Sequence, residues 1–404
     1  MSWIRLLFIS IFTVIIEVIL IGDLPHQWYQ DLNFTVFFLF YQLLLLPSAI
    51  FLLFKKLETF SIACILLLFT NLFTSNISTS SNFKTLPKNF TKNLIVRGNV
   101  MPNFEGINTI STDEKGFRSL NKINYKDKNT FRIFAIGGST TEEIYVDDKE
   151  TWTSLLQVGL TKTYNKFSEV INTGVSGLRA EHHLATMIET EKYHPDVYIF
   201  LMGVNDWNKH IKDNYSKNSV NAFKSDLPNT LIWKGISFAK SLVTKQDNEV
   251  IEIIEEYGDY YSKQNNSLEK LDVRTFLPET IDSTYEMMIK KIATKCNEKK
   301  YVCFFLNQPS AYSTQLTEDL RQRLWMTPPG EEYTLDIGSL IHISNLYNNE
   351  LKRIAADNDI YFCDIASQIK ATTDHFYDDV HYNEKGSVKV SNAVLECLIS
   401  NLSK

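Results

Sequence analysis

The sequence predicts an α/β protein: a doubly wound, flavodoxin-like parallel sheet with helices on both faces over residues 131–404, preceded by an apolar region that crosses a membrane. Three observations carry that prediction. Beyond residue 130, short apolar runs alternate with amphipathic stretches; glycines and chemically capable side chains follow directly after those runs; and three long apolar stretches crowd the first 75 residues. A chain of 404 residues with a formal net charge of -6 and interspersed Lys and Glu can bury a sizeable core, and it lacks the basic face that a nucleic-acid partner would want.

The apolar stretches come first. Residues 3–22 (WIRLLFISIFTVIIEVILIG), 34–54 (FTVFFLFYQLLLLPSAIFLLF) and 59–75 (TFSIACILLLFTNLFTS) are each about long enough to cross a bilayer as a helix, the third being the shortest. Glu17 and the lack of a small-residue cleavage site before GDLPHQW argue against a signal peptide. Pro47 would kink the second span, which membrane helices tolerate. Arg5 precedes the first span, the connection GDLPHQWYQDLN carries no Lys or Arg, and Lys55 and Lys56 follow the second. The positive-inside rule then puts the amino terminus in the cytoplasm and everything after the third span outside it. Residues 1–75 are thus a membrane region. Residues 76–130, rich in Asn, Ser, Thr and Lys, read as an extracytoplasmic tether leading into the domain, although DEKGFRSL (113–120) is more specific than a linker needs to be.

The first strand of the domain is Phe131, Ile133, Phe134, Ala135 and Ile136, nearly continuous in apolar character, as a strand buried on both faces would be. Further runs near 169–173, 196–202, 301–306 and 360–363 alternate with amphipathic segments such as 150–160 and 343–356. A polar insertion over 207–280 interrupts the rhythm and should cover one edge of the site. No internal repeat is present. In open parallel sheets ligands bind beyond the carboxyl ends of the strands, so those positions are where function should be sought.

Four such stretches stand out: FRIFAIGGSTTEE (131–143), NTGVSGLR (172–179), MGVNDW (202–207) and FYDDVHYNEKG (376–386). Each alone has a plain reading. Gly137-Gly138-Ser139 is also an ordinary turn, Gly174 and Gly177 are turn residues, and Asn205-Asp206 can cap a helix. Together and in this order they resemble the SGNH, or GDSL-type, hydrolase superfamily. The resemblance implies a three-layer α/β/α domain and maps the family's serine onto Ser139, its glycine onto Gly177, its asparagine onto Asn205 and its Asp-x-x-His onto Asp378 and His381. Gly138 and Thr140 stand where the family often has Asp and Leu, and the resemblance covers neither the spans nor the insertion.

The same residues make chemical sense without the family. A serine hydroxyl needs a base within hydrogen-bond reach, and histidine suits that task near neutral pH, which makes His381 the candidate. Asp378, three residues upstream, can orient it if DDVH forms a tight turn. A tetrahedral oxyanion would be met by the backbone N–H groups of Ser139 and Gly177 and the side-chain amide of Asn205; losing one such donor costs about 2.7 to 4 kcal/mol. Gly138, Trp207 and Gln308 are candidate pocket residues, although a packed core aromatic is the plainer reading of Trp207. His375, Asp378, Asp379 and His381 offer a metal set as a second reading, and His182-His183 another, but adjacent helical histidines diverge; no metal or cofactor is expected. Of the five cysteines, Cys64 lies in a span, while Cys296, Cys303, Cys363 and Cys397 would face an oxidising space either as buried thiols or as bridges.

These observations together predict a membrane-anchored, extracytoplasmic serine esterase that hydrolyses acyl esters, O-acetyl groups on a carbohydrate included, through an acyl-serine intermediate. Two rivals remain open at this point. One is an O-acyltransferase, or an acylation partner of a membrane acyltransferase, acting on an envelope glycan; the other is a catalytically silent scaffold subunit of such an assembly.

Overall fold

The computed structural model describes residues 82–96, 101–104, 106–127, 130–165, 168–216, 251–254, 272–321 and 333–402, with 323, 324, 328 and 331. The three predicted spans and most of the 207–280 insertion lie outside the described residues. Among the described residues no helix is long and apolar enough to cross a membrane. Residues 85–219 and 249–404 form one unit, and the architecture below is that unit's.

Two strands lead in. β1 (Thr91–Val96) and β2 (Asn108–Ser111) pair antiparallel, with Thr91 opposite Ser111 and Leu94 opposite Asn108. Leu94, Val96 and Ile110 pack with Met101, Phe104, Tyr145, Val146 and Tyr377. The segment expected to be a tether therefore carries secondary structure with its own apolar cluster. The continuous run of the first large strand follows as β3 (Phe131–Gly137), then a single helical turn α1 (Ser139–Glu142), and α2 (Trp152–Tyr164), whose amino end Thr151 caps by accepting from the Ser154 N–H.

β4 (Ser168–Asn172), α3 (Ala180–Thr190), β5 (Val197–Leu201) and α4 (Val204–Ser216) continue the alternation. Two short strands come next: β6 (Ile251–Ile254), which runs parallel to β1, and β7 (Asp272–Arg274). After them come α5 (Ser283–Lys299), β8 (Val302–Leu306), the short α6 (Glu318–Arg321), β9 (Tyr333–Leu335), which pairs with β7, and α7 (Ile337–Asp357). β10 (Tyr361–Cys363) and α8 (Glu384–Leu402) close the chain.

The central sheet is parallel and ordered β10-β8-β5-β3-β4. Ile133 of β3 sits between Val170 of β4 and Val197 of β5. This is the doubly wound order in which winding reverses between the first strand and the third, here β3 and β5, opening a crevice at their carboxyl ends. Alternate side chains fill the two faces, as the period of a strand requires. Ile133, Ala135, Ile199 and Leu201 join Trp152, Leu156 and Leu160 of α2 and Val390, Val394 and Leu398 of α8 in one buried cluster. On the other face the Tyr198 hydroxyl donates to the Met187 carbonyl of α3 at 3.1 Å, and α5 and α7 pack on β8. The result is three layers, α/β/α, with each fully buried large apolar side chain contributing about 1.5 to 3 kcal/mol.

The cysteines resolve into two bridges. Cys296 of α5 is bonded to Cys303 of β8, and Cys363 of β10 to Cys397 of α8. Strand thiols that the sequence left open as free or paired are thus each tied to a helix, and not to one another.

Candidate active site

The carboxyl end of β3 sets the site. Gly138 turns the chain there, and a Cβ on it would lie 2.6 Å from the Asn205 amide nitrogen, so only glycine lets α1 and α4 approach this closely. Ser139 is then the first residue of α1, half-buried at the crevice.

His381 reaches Ser139 from the far end of the chain. The Asp378 carboxylate accepts from the backbone N–H groups of Val380 and His381, both at 2.9 Å, folding DDVH into a tight turn. That turn brings the His381 ring back onto the same carboxylate, with Nδ1 at 2.7 Å from Oδ2 and 2.9 Å from Oδ1. An ionised carboxylate only accepts, so Nδ1 carries the proton, and the Nε2 lone pair receives the Ser139 hydroxyl at 2.7 Å. Tyr377 stacks on the imidazole at 5.7 Å and fixes its plane. Asp378 is 0% exposed. Burial alone would raise its carboxyl, but the electrostatic pull of the adjacent imidazole and the hydrogen bonds from His381 and Val380 outweigh that and hold it below the ordinary carboxylate range. Asp379 points elsewhere: it accepts from the Tyr312 hydroxyl at 3.1 Å.

The other two blocks meet the same point. Asn205, on the first turn of α4, donates its amide to the Leu178 carbonyl at 2.8 Å, and Asp206 accepts from the Ala180 N–H at 3.2 Å. The loop containing Gly177 is thereby tied to α4 on one side. On the other, the Glu142 Oε2 accepts from both the N–H and the hydroxyl of Ser176, each at 2.5 Å. Gly177 lies between these ties, exposed, with φ +77 and nothing within 4 Å of where a Cβ would stand. The structure thus brings Ser139, Gly138, Asn205, Asp378 and His381 together and sets Gly177 between residues anchored to α1 and α4.

Two candidates are placed otherwise. Trp207 is 0% exposed and packed edge-on against Tyr347, so it belongs to the core. Gln308 is buried behind α1, where its Oε1 accepts from the Thr140 hydroxyl at 3.1 Å and its amide reaches the Tyr382 hydroxyl at 3.2 Å. A small, mainly apolar hollow of about 190 Å³ lies beside Glu142, Ile144 and Tyr145, walled by Leu86, Pro87 and Phe90. Among the described residues no group of three or more His, Cys, Asp or Glu side chains is placed to hold a metal ion. His375 turns to the Lys370 carbonyl, and His182 caps α3 by accepting from the Arg179 N–H.

Sequence reasoning missed the charged groups that hold α1 in place. Arg118, 2% exposed, donates to the carbonyls of Glu142, Glu143 and Val146 and to the Asp148 carboxylate. Its own backbone pairs with Asn172 at the end of β4. The signal was present in DEKGFRSL, since an arginine beside a Gly-Phe pair can be buried only with partners of this kind. Glu143 caps the other side: its carboxylate accepts from the Trp152 N–H at 2.7 Å and from the Ser387 hydroxyl, joining α1 to α2 and α8.

The family model described as GDSL-like Lipase/Acylhydrolase matches residues 135–388. The chain belongs to that family. It is an SGNH-type serine hydrolase acting on ester bonds. No curated protein matches it. Among solved structures, a psychrotrophic esterase from Pseudoalteromonas sp. is 11% identical, with 69% of this chain and 100% of that one covered and a TM-score of 0.38. An acetylxylan esterase from Geobacillus stearothermophilus is 13% identical, with 67% and 96% covered and a TM-score of 0.37. Likeness at that level identifies neither substrate nor site.

Burial pushes the Glu143 carboxyl from 4.5 up to about 8, against the bonds from Ser387 and Trp152. Between those values the unfolded chain has lost this proton and the folded chain keeps it, so this group makes stability fall as pH rises from about 4.5 to 8. Denaturant unfolding of wild type and Glu143→Gln across that range should show the variant gaining on wild type as pH rises, by on the order of 3 to 5 kcal/mol in all. A stability difference that does not move with pH would contradict this assignment.

Proposed function

We propose that this protein is a membrane-anchored serine esterase working outside the cytoplasm, with Ser139 as nucleophile, His381 as general base and acid, and Asp378 as its orienting carboxylate. The observation that carries the reading is the unbroken run of hydrogen bonds from Asp378 through His381 to Ser139, at 2.7 Å on each side of the imidazole.

Chemically, His381 Nε2 takes the Ser139 proton as Oγ bonds to the ester carbonyl carbon, and the carbonyl electron pair moves onto oxygen. The N–H groups of Ser139 and Gly177 and the Asn205 amide would stabilise that oxyanion. The pair then returns, the carbon–oxygen bond to the alcohol breaks, and His381 gives its proton to the departing oxygen, leaving acyl-Ser139. Water repeats the sequence with His381 as base, releasing the acid and restoring the serine hydroxyl. No cofactor enters these steps. The substrate is an acyl ester, O-acetyl groups on a carbohydrate included; the exposure of Gly177 supports an alcohol portion that is large and stays in solvent.

Two features support the location. Four cysteines are paired in two disulfides, which persist in oxidising compartments. The apolar stretches and the placement of Arg5, Lys55 and Lys56 support three spans with the domain outside. A membrane acyltransferase is the partner that such an arrangement would suit.

In the full-length protein, Ser139→Ala and His381→Ala should each lower kcat for a short acyl ester by at least ~1,000-fold with the unfolding midpoint held. Asp378→Asn should follow closely, whereas Asp379→Asn should be milder; the reverse order would place the orienting role on Asp379. For location, alkaline phosphatase fused after Lys404 should be active in a bacterial host and β-galactosidase at the same point inactive. The opposite pair of results would put the domain in the cytoplasm.

A further inference from the structure

Glu142 is a side chain of the nucleophile's helix that reaches the loop of the second block, where the Asn172 side chain makes a further link by donating to the Thr141 carbonyl and accepting from the Gly174 N–H. It ends α1, three residues after Ser139, and is only 4% exposed. A single carboxylate oxygen accepts both hydrogen bonds that Ser176 can offer, from its N–H and from its hydroxyl. Two donors on one carboxylate oxygen make a strong, charge-assisted tie. Burial raises the Glu142 carboxyl, opposed first by the two Ser176 bonds and then by the charges of Arg118 and His381. Its backbone carbonyl is meanwhile held by Arg118.

The next peptide unit is Ser176–Gly177. Its N–H belongs to Gly177, which has a positive φ and nothing within 4 Å of where a Cβ would stand. The backbone bonds flanking Ser176 and Gly177 are long: Val175 N–H to the Gly137 carbonyl and Leu178 N–H to the Val175 carbonyl are both 3.3 Å. Asn172 anchors the start of the loop, and the ties nearest the Gly177 N–H are that of Glu142 to Ser176 just before it and that of Asn205 to Leu178 just after it. An oxyanion donor works through preorganisation, so a donor free to swing loses most of its effect.

We propose that Glu142 is a positioning residue for ester hydrolysis: through Ser176 it aims the Gly177 N–H at the oxygen that becomes negative when Ser139 attacks. The proposal rests on the acyl-serine reading given above. Glu142 touches no reacting atom; its effect should appear in the transition state and spare substrate binding.

The test is steady-state kinetics of the full-length protein on a short acyl ester for wild type, Glu142→Ala, Glu142→Gln, Ser176→Ala and the double variant Glu142→Ala/Ser176→Ala. Glu142→Ala should lower kcat ~100-fold, the effect of one oxyanion donor, with KM within ~3-fold. Glu142→Gln keeps an acceptor for Ser176 and should recover to within ~5-fold of wild type, while Ser176→Ala, losing one bond of two, should fall ~10-fold. The double variant should be no worse than Glu142→Ala, because both act through one tie. If Glu142→Ala fails to fold, a kcat loss in Ser176→Ala at unchanged KM carries the claim alone. A folded Glu142→Ala with kcat within ~3-fold of wild type, losses that multiply in the double variant, or a change confined to KM would overturn it. Wild-type protein with no esterase activity would sink the acyl-serine reading as well; an active wild type beside an unaffected Glu142→Ala sinks this proposal only.

Discussion

The hydrogen bond between Ser139 and His381 joins residues 242 positions apart, and most of the architecture is organised around keeping it at 2.7 Å. Neither partner could hold it alone. Ser139 is placed by β3, which lies between β4 and β5 at the point where the sheet reverses its winding. His381 is placed by the Asp378 turn, anchored below by Tyr377 and followed at once by α8, which packs on α2 over the sheet. A buried carboxylate without partners would be costly, and this one is satisfied by two backbone donors and the imidazole. The same three bonds that keep Asp378 ionised also orient the His381 imidazole.

Around that bond lies a second tier of buried polar groups that the reaction does not touch. Arg118, Glu142 and Glu143 converge on the four residues of α1 and the turn after it. A helix of one turn has too few internal hydrogen bonds to persist unaided, since nucleation is unfavourable until more residues join. External partners substitute for the missing turns. Arg118 donates to the Glu142, Glu143 and Val146 carbonyls at and just beyond the end of α1, a task like the one capping performs on longer helices. It comes from residues that precede the family match, which gives the lead-in segment a structural purpose beyond that of a connection.

How far the sequence could be read depended on whether a feature is local. Ser139, Asn205 and the Asp378–His381 pair sit in short motifs at the ends of strongly apolar strands, and the runs at 131–136, 169–173 and 301–306 appear as β3, β4 and β8 with ends shifted by a residue or so. β1 pairing with β6 was not legible: each is short, and nothing in TKNLIV names a parallel partner from within the insertion. β7 and β9, three residues each, are below the length at which alternation can be recognised. Cysteine pairing was invisible for a related reason, because partners are chosen by the packing of α5 on β8 and α8 on β10, not by spacing. Glu142 carries no mark of its burial until its neighbours are known, whereas Arg118 sits in DEKGFRSL, a stretch more specific than a linker needs. Trp207 went the other way, a motif neighbour that the core absorbed.

The central claim is that Ser139 is the nucleophile, and active-site labelling tests it most directly. The full-length protein would be treated with a fluorophosphonate, digested, and its peptides mapped by mass spectrometry alongside residual esterase activity. One phosphonyl group per chain should appear on Ser139, in step with loss of activity, and should be absent from Ser139→Ala and from His381→Ala. Activity lost with Ser139 unmodified, or full activity retained after Ser139 is completely labelled, would contradict the account.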